Sequence, residues 1–182
     1  VETLLSAEHT IQKLCENYKI NCIVIRPTLI YGKCGTTKDN NLFKLLKIIK
    51  LLPFVILPKN IGLRQPIHSF QLAKLASFYL KKFSNFNSDQ LIFERIEVGG
   101  DEILTYKDML LKLQSTRKKA VFKNTKILTV PNIIFYIIIS PILLVSPKIF
   151  EIIFRISSNF SGFHKCSELL GEPLRKFPYN KY

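Results

Sequence analysis

Two short strings in the sequence combine residue types that could bind an anionic ligand. Residues 25–32 read IRPTLIYG and follow a β-branched run, so a Pro- and Gly-containing turn comes directly after a predicted strand. Residues 64–68 read RQPIH, and the planar guanidinium of Arg64 presents a fork of donors that matches phosphate oxygens. Ligands of open α/β sheets bind in the crevice outside the carboxyl ends of the strands. The two strings therefore predict a site for a phosphate-bearing ligand.

Each of these residues also has an ordinary structural interpretation. Residues 25–32 could be no more than a strand end with a Pro turn, Arg64 could be a solvated surface residue, and His68 could be a loop or core histidine. Asn41 and Leu42 stand at the start of a helical pattern. The Asn41 amide could hold a sugar or phosphate there, or serve as the N-cap of the helix. The residue types alone leave these alternatives open.

The elements that would position the strings alternate between helices and strands. Apolar residues recur at helical spacing in three segments, short β-branched runs predict strands buried in a parallel sheet, and residues 105–108 form a variant of the capping box at a further helix start. This order is typical of an α/β fold with a parallel core. The predicted helices are 2–18, 42–49, 70–82 and 105–114, and the predicted strands are 22–25, 54–57 and 91–98.

Composition limits the classes to which the chain could belong. A length of 182 residues with 47% hydrophobic residues is enough for one domain with a real core, which excludes a disordered or collagen-like chain. The net charge of +14 favours a phosphate-rich partner: nucleic acid, an anionic membrane or a nucleotide. No recognition-helix signature accompanies the charge, so we expect no nucleic-acid binding. The four cysteines and three histidines lack zinc-ligand spacing, and no metal is expected.

The last third of the chain differs from the rest. Residues 112–126 carry six basic residues and no acid, and residues 127–147 are uncharged and long enough to cross a bilayer. Pro131, Pro141 and Pro147 break this stretch into shorter pieces. We therefore favour a hydrophobic helix pair that packs on the domain or lies against a membrane over a membrane span.

Taken together, the strings resemble the carboxyl-terminal half of an extended short-chain dehydrogenase/reductase of the NAD-dependent epimerase/dehydratase family, which acts on nucleotide sugars. The resemblance implies an α/β fold: the carboxyl-terminal part of a Rossmann-like NAD(P)-binding fold with a small substrate-binding subdomain and a hydrophobic helical tail. Residues 1–126 would form the first part and residues 127–182 the tail. The matching segments are Ala7-Glu8, 26–32, 41–42, 64–68, 99–106 and Leu170-Gly171.

The resemblance also implies functional roles for individual residues. Pro27, Thr28 and Tyr31 would lie beside the nicotinamide of NAD or NADP. The substrate, a nucleotide-diphosphate sugar, would be bound by Asn41, Leu42, Arg64 and His68. Two further expectations are that the protein forms a homodimer and that it is cytoplasmic. Within the cytoplasm it would be either free or attached to a membrane surface through residues 127–147.

The sequence departs from the family pattern at three places. It contains no Gly-rich turn for the cofactor pyrophosphate. The family's Tyr-x-x-x-Lys pair, counted back from Glu8, places Leu4 where the lysine belongs and the tyrosine before Val1, so no catalytic residue is assigned. The acid that usually follows the Ile-His string is absent, with Gln71 nearby, which predicts a weaker hold on the next helix. A non-catalytic, membrane-associated scaffold or accessory subunit of the same fold is the alternative function.

Overall fold

A computed structural model of the chain describes residues 2–34, 37–38, 53–84, 91–116 and 125–179, in which strands and helices alternate. The predicted α/β class with parallel sheets is confirmed. The helices are α1 (Glu2–Tyr18), α2 (Ser69–Ser84), α3 (Tyr106–Thr116), α4 (Asn132–Val145), α5 (Pro147–Phe154) and α6 (Cys166–Leu170), with a 3-10 turn at Arg155–Ser157. The strands are β1 (Cys22–Pro27), β2 (Ile30–Tyr31), β3 (Lys33–Cys34), β4 (Thr37–Lys38), β5 (Phe54–Pro58), β6 (Leu63–Arg64), β7 (Ile67–His68), β8 (Phe93–Gly99), β9 (Leu104–Thr105), β10 (Lys126–Val130) and β11 (His164–Lys165).

The main sheet has the strand order β1-β8-β11, and all of its pairings are parallel. Its core includes Ile96 and Val98 of β8, which pack with Leu75 of α2 and Cys166 of α6. Strand β1 was expected to be buried on both faces. Within the described residues it pairs with β8 alone, so its side chains are only half-buried and that expectation was too strong.

A second parallel pair joins β5 to β10, in register from Phe54 opposite Lys126 to Pro58 opposite Val130. The prediction of β5 is confirmed, whereas the prediction of helical structure from residue 127 is wrong for its first four residues. Hydrophobic periodicity does not distinguish a short buried strand from a helix when a run is apolar throughout. Here the run contains the β-branched residues Ile127, Thr129 and Val130, which suit a strand.

A helix pair follows β10, but only its first helix, α4, lies within the predicted stretch of residues 127–147, because α5 begins at Pro147. Pro131 precedes α4 and Pro147 begins α5, so two of the three prolines mark helix boundaries. Pro141 lies inside α4, and the expectation that it would break this helix was wrong. Among the described helices, none combines the length and the apolar character needed to cross a membrane.

Other local predictions can be compared directly with the structure. Helices α1 and α2 occupy the predicted segments. The capping box at the start of α3 is formed, because the amide of Asp108 donates to the Thr105 hydroxyl (3.1 Å) and the amide of Thr105 donates to the Asp108 carboxylate (3.2 Å). The predicted helix over 42–49 lies outside the described residues.

Candidate functional site

The structure brings residues 25–32 and 64–68 together beside the carboxyl end of β1. The amide of Thr28 donates to the Val98 carbonyl (3.0 Å), and the Thr28 hydroxyl donates to the Gln65 carbonyl. Beyond this point β2 pairs in parallel with β7, which sets Tyr31 opposite His68. Backbone pairing thus joins two strings that are more than 30 residues apart in sequence.

Tyr31 lies inside this junction and is not free to contact a ligand through its ring edge. Its hydroxyl accepts a hydrogen bond from the amide of Tyr179 (2.9 Å), and its ring packs edge-on against those of His68 and Phe177, with centroids 5.1 and 4.8 Å away. Burial raises the pKa of Tyr31 to about 12. The phenol therefore stays protonated at neutral pH.

His68 is a buried, neutral imidazole. Its Nδ1 accepts a hydrogen bond from the amide of Phe70 (3.1 Å), so the ring proton is carried by Nε2. Desolvation lowers the pKa of His68 below its ordinary value. Nε2 faces Gly32, which has a φ of +101°, and a Cβ at that position would collide with the imidazole. Gly32 therefore permits both the turn after β2 and the close approach of His68.

Arg64 is only 5% exposed, which excludes the solvated-surface interpretation. One terminal nitrogen of its guanidinium donates to the carbonyls of Leu63 (2.8 Å) and Ser158, and the other donates to the carbonyl of Arg155 (2.5 Å). The rings of Tyr106 and Phe160 lie 5.0 and 4.9 Å from the guanidinium carbon. In this structure Arg64 holds the segment after α5 against β6.

A second buried polar cluster surrounds Asp101 and was not assigned by sequence reasoning. One carboxylate oxygen of Asp101 accepts from the Ser167 hydroxyl (2.6 Å), the Arg175 amide (2.9 Å) and the Gln71 side-chain amide (3.1 Å). The other accepts from the Ser167 amide (3.0 Å). The signal available in the sequence was the position of Asp101, directly after two glycines at the end of a predicted strand.

This cluster also explains Gln71, the residue near the position where the family pattern has an acid. A carboxylate at position 71 would face the carboxylate of Asp101, whereas the Gln71 amide donates to it. The Gln71 side-chain oxygen also accepts from the amide of His68 (3.3 Å). Gln71 therefore links the start of α2 to Asp101, which follows β8, and the weaker hold on α2 stays a prediction.

Gln65 supplies the other unpredicted link to the last third of the chain. Its side-chain amide donates to the carbonyls of Gly100 (2.8 Å) and Phe163 (3.0 Å), and its side-chain oxygen accepts from the Phe163 amide (3.1 Å). Both N–H donors and the oxygen of the Gln65 side chain therefore have hydrogen-bond partners within the protein. Sequence reasoning gave Gln65 no role between Arg64 and Pro66.

The remaining predicted residues lie at the edge of this junction, on α1 or outside the described residues. Pro27 is exposed at the end of β1, and Asn41 and Leu42 fall in the segment that the structure does not describe. Leu4 is 71% exposed on α1, and Glu8 on the same helix accepts hydrogen bonds from Arg26 (3.0 and 2.6 Å). These bonds hold the pKa of Glu8 below its usual value and attach α1 to β1.

Comparisons with known proteins give structural relatives only. No protein-family model matches the sequence, and no curated protein sequence matches it. Among solved structures, UDP-glucose-4-epimerase from Stenotrophomonas maltophila with bound NAD and formylated UDP-arabinopyranose superposes with a TM-score of 0.59 at 14% identity, covering 94% of this chain and 48% of that one.

Two epimerases from Bacillus cereus give similar results. UDP-glucuronic acid 4-epimerase in complex with UDP-glucuronic acid and NAD has a TM-score of 0.52 at 18% identity, covering 94% of this chain and 46% of that one. UDP-N-acetylglucosamine 4-epimerase has a TM-score of 0.51 at 13% identity, covering 94% and 49%. The chain therefore has the Rossmann-like fold of the UDP-sugar 4-epimerases and spans about half the length of these structures.

Proposed function

We propose that the chain is the substrate-binding part of an NAD(P)-dependent nucleotide-sugar epimerase or dehydratase. The observation that supports this most is the junction of residues 25–32 with residues 64–68 beside the carboxyl end of β1, in a fold shared with UDP-sugar 4-epimerases. The carboxyl ends of parallel strands are where such folds bind ligands. A net charge of +14 suits a doubly anionic diphosphate.

The described residues do not by themselves fit a dinucleotide. Binding of its pyrophosphate needs a Gly-rich turn at a helix amino terminus, and the sequence has no such turn. The Tyr31 hydroxyl accepts from Tyr179, and the Thr28 hydroxyl donates to Gln65. We propose that NAD or NADP is held mainly by the half of the fold that this chain does not span, with Pro27, Thr28 and Tyr31 at its border.

The proposed ligands of the nucleotide diphosphate are Asn41, Leu42, Arg64 and His68. Arg64 already has three carbonyl partners, but a guanidinium has five N–H donors, so it could bind a phosphate oxygen while it retains part of its present contacts. His68 would contribute through Nε2, since Nδ1 already accepts from Phe70.

Binding of UDP to the chain tests this proposal, with equilibrium dialysis of labelled UDP as the measurement. We expect Asn41→Ala to raise the Kd at least about tenfold, because each charge-assisted hydrogen bond lost is worth about 1.5–3 kcal/mol. Asn60→Ala is the matched control, because Asn60 is an exposed asparagine whose backbone amide, which the substitution keeps, donates to Asn132. Absence of UDP binding, or an equal effect of both variants, would contradict the proposal.

A non-catalytic member of the same fold is the second candidate, and the exposed Leu4 favours it. The resemblance places the lysine that lowers the tyrosine pKa at this position, and a leucine side chain has no charge with which to do so. Incubation of the protein isolated from its source with UDP-glucose and NAD, followed by chromatography for UDP-galactose, separates the two candidates. Turnover would exclude a purely structural role.

A further inference from the structure

Helix α4 has two apolar faces, of which the protein covers one. Phe135 (2% exposed) and Ile139 (6%) are buried, and α4 lies beside β5. Ile133 (75% exposed), Ile137 and Leu144 (90%) project from the opposite side, since their positions differ by about half a helical turn from the buried pair. A surface helix of a soluble domain normally has a polar outer face. The outer face of α4 is apolar instead.

The polar side chains of α4 already have partners within the protein. The side-chain oxygen of Asn132 accepts from the Asn60 amide (3.0 Å), the Tyr136 and Ser157 hydroxyls are 2.8 Å apart, and the Ser140 hydroxyl donates to the carbonyl of Ile137 (2.8 Å). No charged residue occurs between 132 and 145. Each of these side chains therefore has at least one hydrogen-bond partner within the protein, which lowers the cost of transferring the helix out of water.

Two exposed lysines lie on or beside the β5–β10 pair that precedes α4. The amide of Lys59 donates to the carbonyl of Val130, so Lys59 lies next to the start of α4. Lys126 begins the strand that leads into α4 and is exposed. Together with the net charge of +14, these residues complement an anionic surface.

We propose that α4 and α5 dock on the surface of a membrane that contains anionic phospholipids, with Ile133, Ile137 and Leu144 entering the boundary of the acyl chains. A 14-residue helix is about 21 Å long, which is shorter than the hydrocarbon core, so α4 lies in the plane of the interface. A second copy of the chain is disfavoured as the occupant because it carries the same +14 charge. The proposal does not depend on the nucleotide-sugar function.

Flotation with vesicles tests the proposal. The chain is synthesised in a cell-free system with vesicles of phosphatidylcholine alone, or of phosphatidylcholine with about one third phosphatidylglycerol, and then centrifuged through a density gradient. We expect the chain to float with the anionic vesicles, and binding to weaken as salt is raised. The double variant Ile133→Glu, Ile137→Glu should lower the partition coefficient at least about 100-fold.

The matched control is Leu5→Glu, Leu14→Glu, which places the same substitutions at exposed apolar positions of α1. Both double variants add two negative charges, so both should lose the same small electrostatic part of the vesicle binding. The α1 variant should lose nothing more. Circular dichroism checks that both variants are folded. Equal flotation of the two variants, or no flotation of the unsubstituted chain with anionic vesicles, would overturn the proposal. A dimer that the α4 variant dissociates, without vesicle binding, would identify a second copy as the occupant instead.

Discussion

Two buried ionic side chains, Arg64 and Asp101, hold the last third of the chain against the sheets, and they do so with different kinds of partner. Arg64 donates to three backbone carbonyls, two of them after α5. Asp101 accepts from the side chains of Ser167 and Gln71 as well as from two backbone amides. The Arg64 contacts depend on the path of the backbone, whereas the Asp101 contacts depend on particular residues.

This difference explains why sequence reasoning interpreted the two residues so unequally. A carbonyl is present at every position, so nothing in the sequence indicates that the carbonyls of Arg155 and Ser158 surround Arg64. The planar fork of Arg64 indicated only a phosphate as its partner, and that role stays a prediction. Asp101 has polar partners that are visible as residue types, but Ser167 is 66 positions away and only the fold shows that they meet.

The largest effect is expected from Asp101→Ala. Removal of the carboxylate leaves the amides of Ser167 and Arg175 and the Gln71 side chain without their acceptor in a buried position, and we expect the free energy of unfolding to fall by about 4 kcal/mol. Urea denaturation followed by circular dichroism measures it. Asp101→Asn keeps one acceptor oxygen and should lose about half as much.

Glu2→Gln on α1 is the control, because Glu2 is exposed in the first turn of the helix and should change stability by less than about 0.5 kcal/mol. A loss for Asp101→Ala as small as that of this control would mean that the cluster is solvated in solution. The contrast with Arg64 would then disappear.

Replacement of Arg64 is expected to have the next largest effect. Arg64→Met keeps most of the volume between Tyr106 and Phe160 but leaves the carbonyls of Arg155 and Ser158 without a donor, so the free energy of unfolding should fall by about 2–3 kcal/mol. Arg64→Lys should lose nearly as much, since an ammonium lacks the planar fork.

Measurement of UDP affinity distinguishes a role of Arg64 in ligand binding from its role in stability. If Arg64 mainly binds the ligand and contributes little to stability, its variants will lose UDP affinity. Their urea midpoints will then stay within error of that of the unsubstituted chain. Lys81→Met, at an exposed position of α2, is the control for the loss of one positive charge. Its UDP affinity should change little, because a distant exposed charge is screened by salt.

Periodic patterns predicted the main elements from the sequence, whereas relations between distant segments were not predictable. The stripe of α1 and the capping box of Thr105 and Asp108 depend only on neighbours in sequence, and both are confirmed. Strand β10 was missed because its pairing with β5 decides its conformation. In the site, residues 25–32 and 64–68 do meet. Arg64 and Gln65 each also have a partner within residues 155–163, which no local pattern connects to them.

The buried histidine gives the free energy of unfolding a dependence on pH. Because burial lowers the pKa of His68, the unfolded chain binds the proton more readily than the folded one. The stability that the neutral ring contributes is therefore complete above the unfolded pKa of about 6.5 and is lost as the pH falls below it. Unfolding midpoints between pH 8 and pH 5 measure this, and His68→Phe should flatten the profile in that range. A profile that is equally steep in the variant would assign the titration to other groups.

Tyr31→Phe should have the smallest effect. It tests whether the charge of Arg64 makes its hydrogen bonds to the backbone stronger than that of the neutral Tyr31. Like Arg64, Tyr31 binds a backbone group, the amide of Tyr179, but without an ionic partner. The phenylalanine ring keeps the edge contacts with His68 and Phe177, so only one neutral hydrogen bond is lost and the free energy of unfolding should fall by about 1 kcal/mol. Hydrogen exchange at the Tyr179 amide should accelerate in the variant while the amides of β8 keep their protection. A loss as large as that of Arg64→Met would show that one buried hydrogen bond to a neutral phenol is worth as much as the three that Arg64 donates, and hence that burial, rather than charge, determines the strength of both contacts.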